Sequence, residues 1–584
     1  MRERLLIRHF LLRFTEHDLI STNADRREVL AVTGGTLVSV SLFLATLTAL
    51  RYQFNNFMPP GITSMNALDD RFLFVSASML VMALLAVSLW DSLALDPRDT
   101  AVLGILPLRR SVLTRSKFIA VATLGVAADV GWNAAPTLLR FAALPLALRV
   151  GFKGIVVLTL AQAVTTVAAG AFGFLSVIAL RETLTAVFGH ERFQAMASAI
   201  QAVLIVALMS ALLLLPARSS RVAETWLARD SLAADSLPPL WFVGLHETFA
   251  GAVIDDAPHV AATARGAFAV PVFRAQERAA TTLYRSLRPR YRRFGRLAVT
   301  ALLCVTILTV VTSAWNSRRL PMPPHRPARS TSAIIWCWTW TVEHLLTTSL
   351  VQQGGFWFTL QTLPRRATHR AVLASALAVG VSSIVITSSS RIGVLSAQFV
   401  VLAALLTGFR HALRLPADLR AGATVRLAWN GDLSPFVSGV KRAGWVAIVI
   451  PALVALFVWH TALIGVSVAI LQLCLGVAFS LFMMELLFIR HSRLPLVSGY
   501  VPSADAKSRG LTYVGGVLLL CVVLGAIDRM ALDASSGYVL LLAGVIAGIG
   551  TAIHIVDRAS GPAAFTGDLD EDVAMPTQRL NLAG

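Results

Sequence analysis

The chain has 584 residues, 56% of them hydrophobic and only 14% charged, and its 51 Lys and Arg against 32 Asp and Glu leave a formal net charge of +19. A soluble protein carries about 25% charged residues, so with a mean hydropathy of +0.70 a soluble fold is excluded. Apolar runs near the roughly 20 residues that cross a bilayer as a helix exclude a barrel, whose segments are shorter and alternate, and arginine placed between those runs follows membrane topology and not nucleic-acid binding.

Residues 1–27 read as an amphipathic helix. Leu5, Leu6, Phe10, Leu11 and Phe14 recur at helical spacing with Arg4, Arg8 and Arg13 between them, the pattern of a helix lying in the membrane interface or of a plain cytoplasmic cap. Spans are predicted at 29–50, 72–90, 118–139, 154–180 and 196–216. The connection 51–71 reads as a polar turn region. The connection 91–117 carries Arg98, Arg109, Arg110, Arg115 and Lys117, which by the positive-inside rule places it, and the N-terminus, in the cytoplasm. A long outer region follows at about 216–296. It contains the aromatic stretch LPPLWFVGLHETFAG (237–251), read as interfacial or re-entrant, and the basic stretch RSLRPRYRRFGR (285–296). His259 and Arg265 argue against an extra span near 260–273, because charge at mid-bilayer is costly. The sixth span is 297–315.

The Pro- and Arg-rich stretch NSRRLPMPPHRPAR (316–329) has no apolar periodicity and reads as the main domain boundary. Residues 330–370 return to an aromatic, interfacial character. Spans then follow at 371–389, 392–409, 443–460, 462–489, 511–527 and 537–556, and 557–584 is a polar cytoplasmic tail. The order of elements in 1–315 is repeated in 330–556. The prediction is an all-α polytopic membrane protein of about 12 transmembrane helices in two similar six-helix halves, set in a cell (inner) membrane with both termini cytoplasmic. Parallel repeats of this kind place a pathway between the halves.

Motifs for chemistry are missing. No GxxxxGK[ST], HExxH or GxSxG occurs, His246–Glu247 lacks a second histidine, and Cys304, Cys337, Cys474 and Cys521 have no paired spacing. No cofactor, metal or enzymatic activity is expected. Polar residues inside spans are the remaining pointers. Asp129, Gln162 and Glu485 are the candidates, either as relays of an ion-coupled carrier or as ordinary interhelical hydrogen-bonding groups. Trp132, Asn133 and Pro136 beside Asp129 suggest a broken helix.

The segment LDPRDTAVLGILPLRRSVLTRSK (95–117) resembles the first cytoplasmic loop of type-2 ATP-binding-cassette (ABC) export permeases, through Asp96, Arg98, Asp99, Leu106, Pro107, Arg109, Arg110 and Lys117. A wider resemblance to large bacterial membrane proteins built around such a permease rests on 237–251, 356–373, 408–421 and 493–505. The second charged connection, 410–442, lacks an equally clear Leu-Pro-basic helix. The resemblance implies an exporter permease without its own ATPase. A separate ABC ATPase subunit would dock on 91–117 as a coupling helix and on a second loop containing Arg414, Pro416, Asp418 and Arg420. Two halves in one chain would serve two ATPases, with a homodimer as the other arrangement. An ion-coupled secondary transporter, and a membrane-embedded enzyme or scaffold, are the alternative readings.

Overall fold

The computed structural model describes residues 2–15, 26–55, 60–90, 110–148, 150–219, 222, 232–264, 271–318, 347–388, 390–415, 417, 433–489, 494–496 and 506–559. All regular structure among them is helical. The helices are α1 (Arg2–Thr15), α2 (Arg26–Asn55), α3 (Pro60–Ser88), α4 (Arg110–Leu148), α5 (Phe152–Phe188), α6 (His190–Arg218), α7 (Leu232–Asp235), α8 (Pro238–Ala264), α9 (Pro271–Ser286) and α10 (Arg288–Arg318). They continue as α11 (Leu350–Arg365), α12 (Ala367–Thr387), α13 (Arg391–Arg414), α14 (Ser434–Gly444), α15 (Ile450–Ile464), α16 (Val466–Phe488), α17 (Ala506–Ala534) and α18 (Ser536–Ala559).

Eleven of the described helical stretches are long and apolar enough to cross a bilayer, and a shorter apolar stretch lies at Leu37–Tyr52. The chain is therefore an all-α polytopic membrane protein. Large apolar side chains are exposed along these helices, among them Leu303, Ile307 and Val311 on α10 and Leu519, Val522 and Met530 on α17. Lipid satisfies such faces, whereas water would not.

The chain divides into two compact units between Pro324 and His325, inside the expected linker. In the first, α3 and α5 form the centre, with α4, α6, α8 and α10 around them and α2 on α4. In the second, α13 and α16 are central, with α12 and α17 against α13, and α15 and α18 against α16. Lipid gives helices no hydrophobic reason to associate, so close backbone approach and polar pairs hold such bundles. Gly173 lets α5 meet the Met79 carbonyl of α3, and Gly476 lets α16 meet Leu453 and Gln398. Tight reversals at Gly189 (φ 76°) and Gly465 (φ 93°) use the backbone region that favours glycine and join α5 to α6 and α15 to α16.

Several expected boundaries are corrected. The region 51–71 is not a polar connection: α2 runs to Asn55 and α3 starts at Pro60, so Asp70 and Arg71 lie inside a helix and are buried. Asp129, Trp132, Asn133 and Pro136 sit in the uninterrupted α4, so the broken helix is not found. Pro136 falls 26 residues into that helix. The helical irregularity lies instead at Trp445–Val449, a π-turn between α14 and α15 in which Ile450 N–H reaches the Trp445 carbonyl just before Pro451. A wide turn there accommodates a proline that supplies no N–H. The helix expected to end at 527 continues to Ala534, which brings Asp528 inside it.

Candidate functional site

Four polar constellations stand inside the two bundles. The first occurs in both units, at the end where the charged connections leave. In the first unit α1 lies across the opening turns of α4. Leu6 and Phe10 pack with Leu113 and Ala120, and Lys117 Nζ stands 5.8 Å above the Phe10 ring. In the second unit α11 crosses α14 at Gly355 and Gly439, where a Cβ on either glycine would overlap the backbone carbonyl of Phe436 or of Gln352. Gln352 Nε2 donates to Ser438 Oγ at 2.8 Å, and Arg442 Nη1 donates to Gln352 Oε1 at 3.2 Å. Beside this crossing Lys441 Nζ pairs with Glu485 Oε2 at 2.6 Å, and His554 Nδ1 stands 3.2 Å from the same oxygen. Arg410 and Lys441 both sit over the Phe488 ring, at 5.2 and 5.7 Å. Glu485 is thus an anchor tying α14, α16 and α18.

The second constellation surrounds Asp129. Asn133 Nδ2 donates to Asp129 Oδ1 at 2.8 Å, and Ser78 Oγ to the same atom at 3.3 Å. Gly170 leaves the space that the carboxylate fills, since a Cβ there would overlap Asp129 Oδ1. Ser78 Oγ also faces the Thr166 carbonyl of α5 at 2.9 Å, so its one proton is shared between the two acceptors, and Asp129 lies where α3, α4 and α5 meet. Gln162, on the same face of α5 two turns earlier, is buried, and its Nε2 has no partner among the described residues.

The third is a buried ion pair. Arg71 of α3 donates to Glu247 of α8, Tyr284 of α9 donates to the other oxygen of Glu247, and His246 Nδ1 lies 3.5 Å away. Both charged side chains are 0% exposed. Helix α8 is not among the candidate spans. Burial alone would raise the Glu247 carboxyl, but the Arg71 guanidinium, His246 and the Tyr284 hydroxyl outweigh it and hold it at about 2. Burial and the Glu247 charge push the Tyr284 hydroxyl well above its ordinary value, so it remains a donor. Close by, Asp70 accepts from Tyr52, and from Arg51 Nη1 at 3.3 Å. Glycines let α8 and α10 touch: a Cβ on Gly244 would meet the Tyr291 carbonyl at 2.8 Å.

The fourth lies in the second unit. Gln472 Nε2 of α16 donates to Asp528 Oδ2 of α17 at 2.8 Å, and Gln398 Nε2 of α13 donates to the Gln472 carbonyl at 2.9 Å. All three side chains are buried.

Of the residues singled out from sequence, Asp96, Arg98, Asp99, Pro107 and Arg109 lie outside the described residues, as do Pro416, Asp418 and Arg420. Arg110 opens α4, and its side chain is likewise outside the described set. Lys117 is buried beneath α1 and not on a solvent-facing surface. Arg414 ends α13 and is exposed. The ion pair Arg71–Glu247 and the cluster at Asp528 were not anticipated. Arg71 and Asp528 had been placed in connections. The helix-compatible i, i+4 spacing of Arg529 and Asp533, which pair at 3.5 Å, was the signal that α17 extends beyond 527.

The described residues include no group of three or more His, Cys, Asp or Glu able to hold a metal ion. Comparison with protein families, curated proteins and solved structures finds no match in any of the three.

Proposed function

We propose that the chain is the transmembrane permease subunit of an ATP-driven exporter of the bacterial inner membrane. Hydrolysis would occur in a separate ABC ATPase that docks on the connections 91–109 and 416–432. One observation carries the reading. In each unit a helix preceding the first pair of long helices is fastened across the opening turns of the helix that emerges from the charged connection, α1 on α4 and α11 on α14. A displacement of either connection would thereby be passed to a long helix and to α1 or α11 together. The basic residues that flank these connections, Arg109, Arg110, Arg115 and Lys117 beside one and Arg410, Arg414, Lys441 and Arg442 beside the other, agree with a cytoplasmic location, the side on which ATP is available.

The test is purification of the tagged chain in mild detergent, identification of co-purifying proteins, and an ATPase assay. A stoichiometric ABC ATPase that is lost on combining Pro107→Ala, Arg109→Ala and Arg110→Ala supports the reading. An ATPase retained by that variant, or a chain that purifies alone and still transports without ATP, refutes it. The second reading, an ion-coupled carrier, draws on the intramembrane carboxylates. Transport without ATP that fails on Asp129→Asn would favour it.

A further inference from the structure

The cluster at Asp528 differs from the other acid sites in one respect. Glu485 and Glu247 each face a cation, and Asp129 Oδ1 accepts from Asn133 with the Ser78 hydroxyl 3.3 Å away. Asp528 receives one hydrogen bond, on Oδ2, from the neutral amide of Gln472. Asp528 Oδ1 and Gln472 Oε1 have no hydrogen-bond partner among the described residues, and both residues are 0% exposed. The two residues of this one hydrogen-bonded pair thus each keep a buried acceptor oxygen to which nothing among the described residues donates. Turning the Gln472 amide over only moves the conflict, because Oε1 would then face the carboxylate. An ionised carboxylate buried among apolar helices with a single neutral donor is costly, and a positive charge between the two oxygens removes that cost.

We propose that Asp528 and Gln472 form a site for one monovalent cation, a sodium ion or a proton, held between Asp528 Oδ1 and Gln472 Oε1. The surrounding architecture fits the role. Asp528 lies six residues before the end of α17 and Gln472 six residues after the start of α16. Both are thus about 9 Å of helix rise from the same end of the bundle. Gln398, seven residues into α13, braces the Gln472 carbonyl at that level. Gly525, one turn before Asp528, brings α17 onto Ser396 of α13. Small and amide side chains thus position the site, and among the described residues no charged group pairs with Asp528. Arg529, half-buried, and Asp533, exposed, pair with each other on α17. His460 of α15 is buried and engaged with the Val394 backbone of α13, Cys521 is two turns away on α17, and Tyr538 of α18 is exposed. This proposal does not rest on the ATPase reading. It stands for a permease whose cycle is modulated by a cation as well as for a carrier.

The purified full chain in detergent is treated with a hydrophobic carbodiimide, which adds only to protonated carboxyl groups, and the peptide containing Asp528 is followed by mass spectrometry. Thermal midpoints are measured in parallel in sodium chloride and in choline chloride. An Asp528 adduct that sodium suppresses and choline does not identifies a sodium site. An adduct that declines from about pH 5 to about pH 9 and ignores sodium identifies a proton site. In the sodium case Gln472→Leu weakens protection by about tenfold, as loss of a supporting ligand does. Asp528→Asn abolishes both the adduct and any sodium-dependent rise in midpoint. The site is overturned by an adduct that responds to neither pH nor sodium. It is also overturned when no adduct forms and the wild-type midpoint is the same in both salts across that pH range. Should Asp528→Asn not fold, the wild-type and Gln472→Leu measurements still decide the matter.

Discussion

Glu247→Gln tests the buried ion pair most directly. The substitution keeps the shape of the side chain and removes its charge. Arg71 is then left 0% exposed with no compensating anion, and its Nε and Nη2 already lack partners among the described residues. Removing one member of a buried pair costs about 3–5 kcal/mol, because the other charge stays desolvated. Replacing both by apolar groups of similar volume is often neutral. Glu247→Gln is therefore expected to lower unfolding stability in detergent by about 3 kcal/mol, and Arg71→Met/Glu247→Leu to come within about 1 kcal/mol of the parent. The assay is reversible denaturant unfolding of all three variants with the parent, combined with hydrogen exchange over 284–298, where α9 and α10 meet α8. Exchange there should rise in Glu247→Gln and return in the double variant. A Glu247→Gln protein within about 0.5 kcal/mol of the parent, with unchanged exchange, would show that the charge pair is not what docks α8 on α3. The pH dependence follows from the same pair. The folded carboxyl is held at about 2, below the ordinary value of about 4.3. A depressed folded value means that this contribution is fully present above about pH 4.3 and is lost as pH falls toward 2. Glu247→Gln should flatten the acid limb of the stability profile in that window.

Three further outcomes are expected. Gly170→Ala should destabilise the first unit by about 1–3 kcal/mol, since the added methyl overlaps Asp129 Oδ1 and outweighs the helix-propensity gain; Asp129→Ala in the same chain should restore much of the loss in thermal unfolding. Gly439→Ala should separate α11 from α14, seen as increased hydrogen exchange at 350–360 and, on the permease reading, as ATPase activity no longer stimulated by the chain. Lys441→Met should remove the cation that pairs with Glu485 at 2.6 Å and lower the thermal midpoint more than Arg414→Ala, whose side chain is exposed; equal effects would refute the assignment of Glu485 as an anchor.

The long helices were legible because apolar runs of span length need no partner to be recognised. The misjudged places share a physical cause. A charge was taken as the end of a span, as at Arg71 and Asp528, although a charged residue can remain inside a helix when neighbouring helices satisfy or neutralise it. What neutralises Arg71 is Glu247, 176 residues away. Local pattern carries no trace of such a pairing. Asp129 was visible because apolar residues flank it on both sides, but its role was not, because the deciding partners are Ser78 and Gly170 on two other helices.

The two units agree at one end and diverge at the other. Gly173 and Gly476 precede Glu182 and Glu485 by the same number of residues on α5 and α16, and each glycine lies against the central partner helix, α3 or α13. Each acid is then met from the last long helix of its unit, Glu182 by Asn316 Nδ2 at 2.7 Å and Glu485 by His554 at 3.2 Å. Such equivalences are what a duplicated ancestor would leave. At the opposite end the first unit inserts α7, α8 and α9 between α6 and α10 and closes over Arg71, whereas in the second α17 passes to α18 across Ser535 alone. The end that each unit preserves is the one where the charged connections leave, which is what the proposed drive through both connections would call for. The end that differs holds a neutralised ion pair in one unit and the single-donor carboxylate Asp528 in the other. On the permease reading, the proposed drive and the proposed cation site would fall at separate places in the chain, and variants at Gly439 and at Asp528 should alter one without the other.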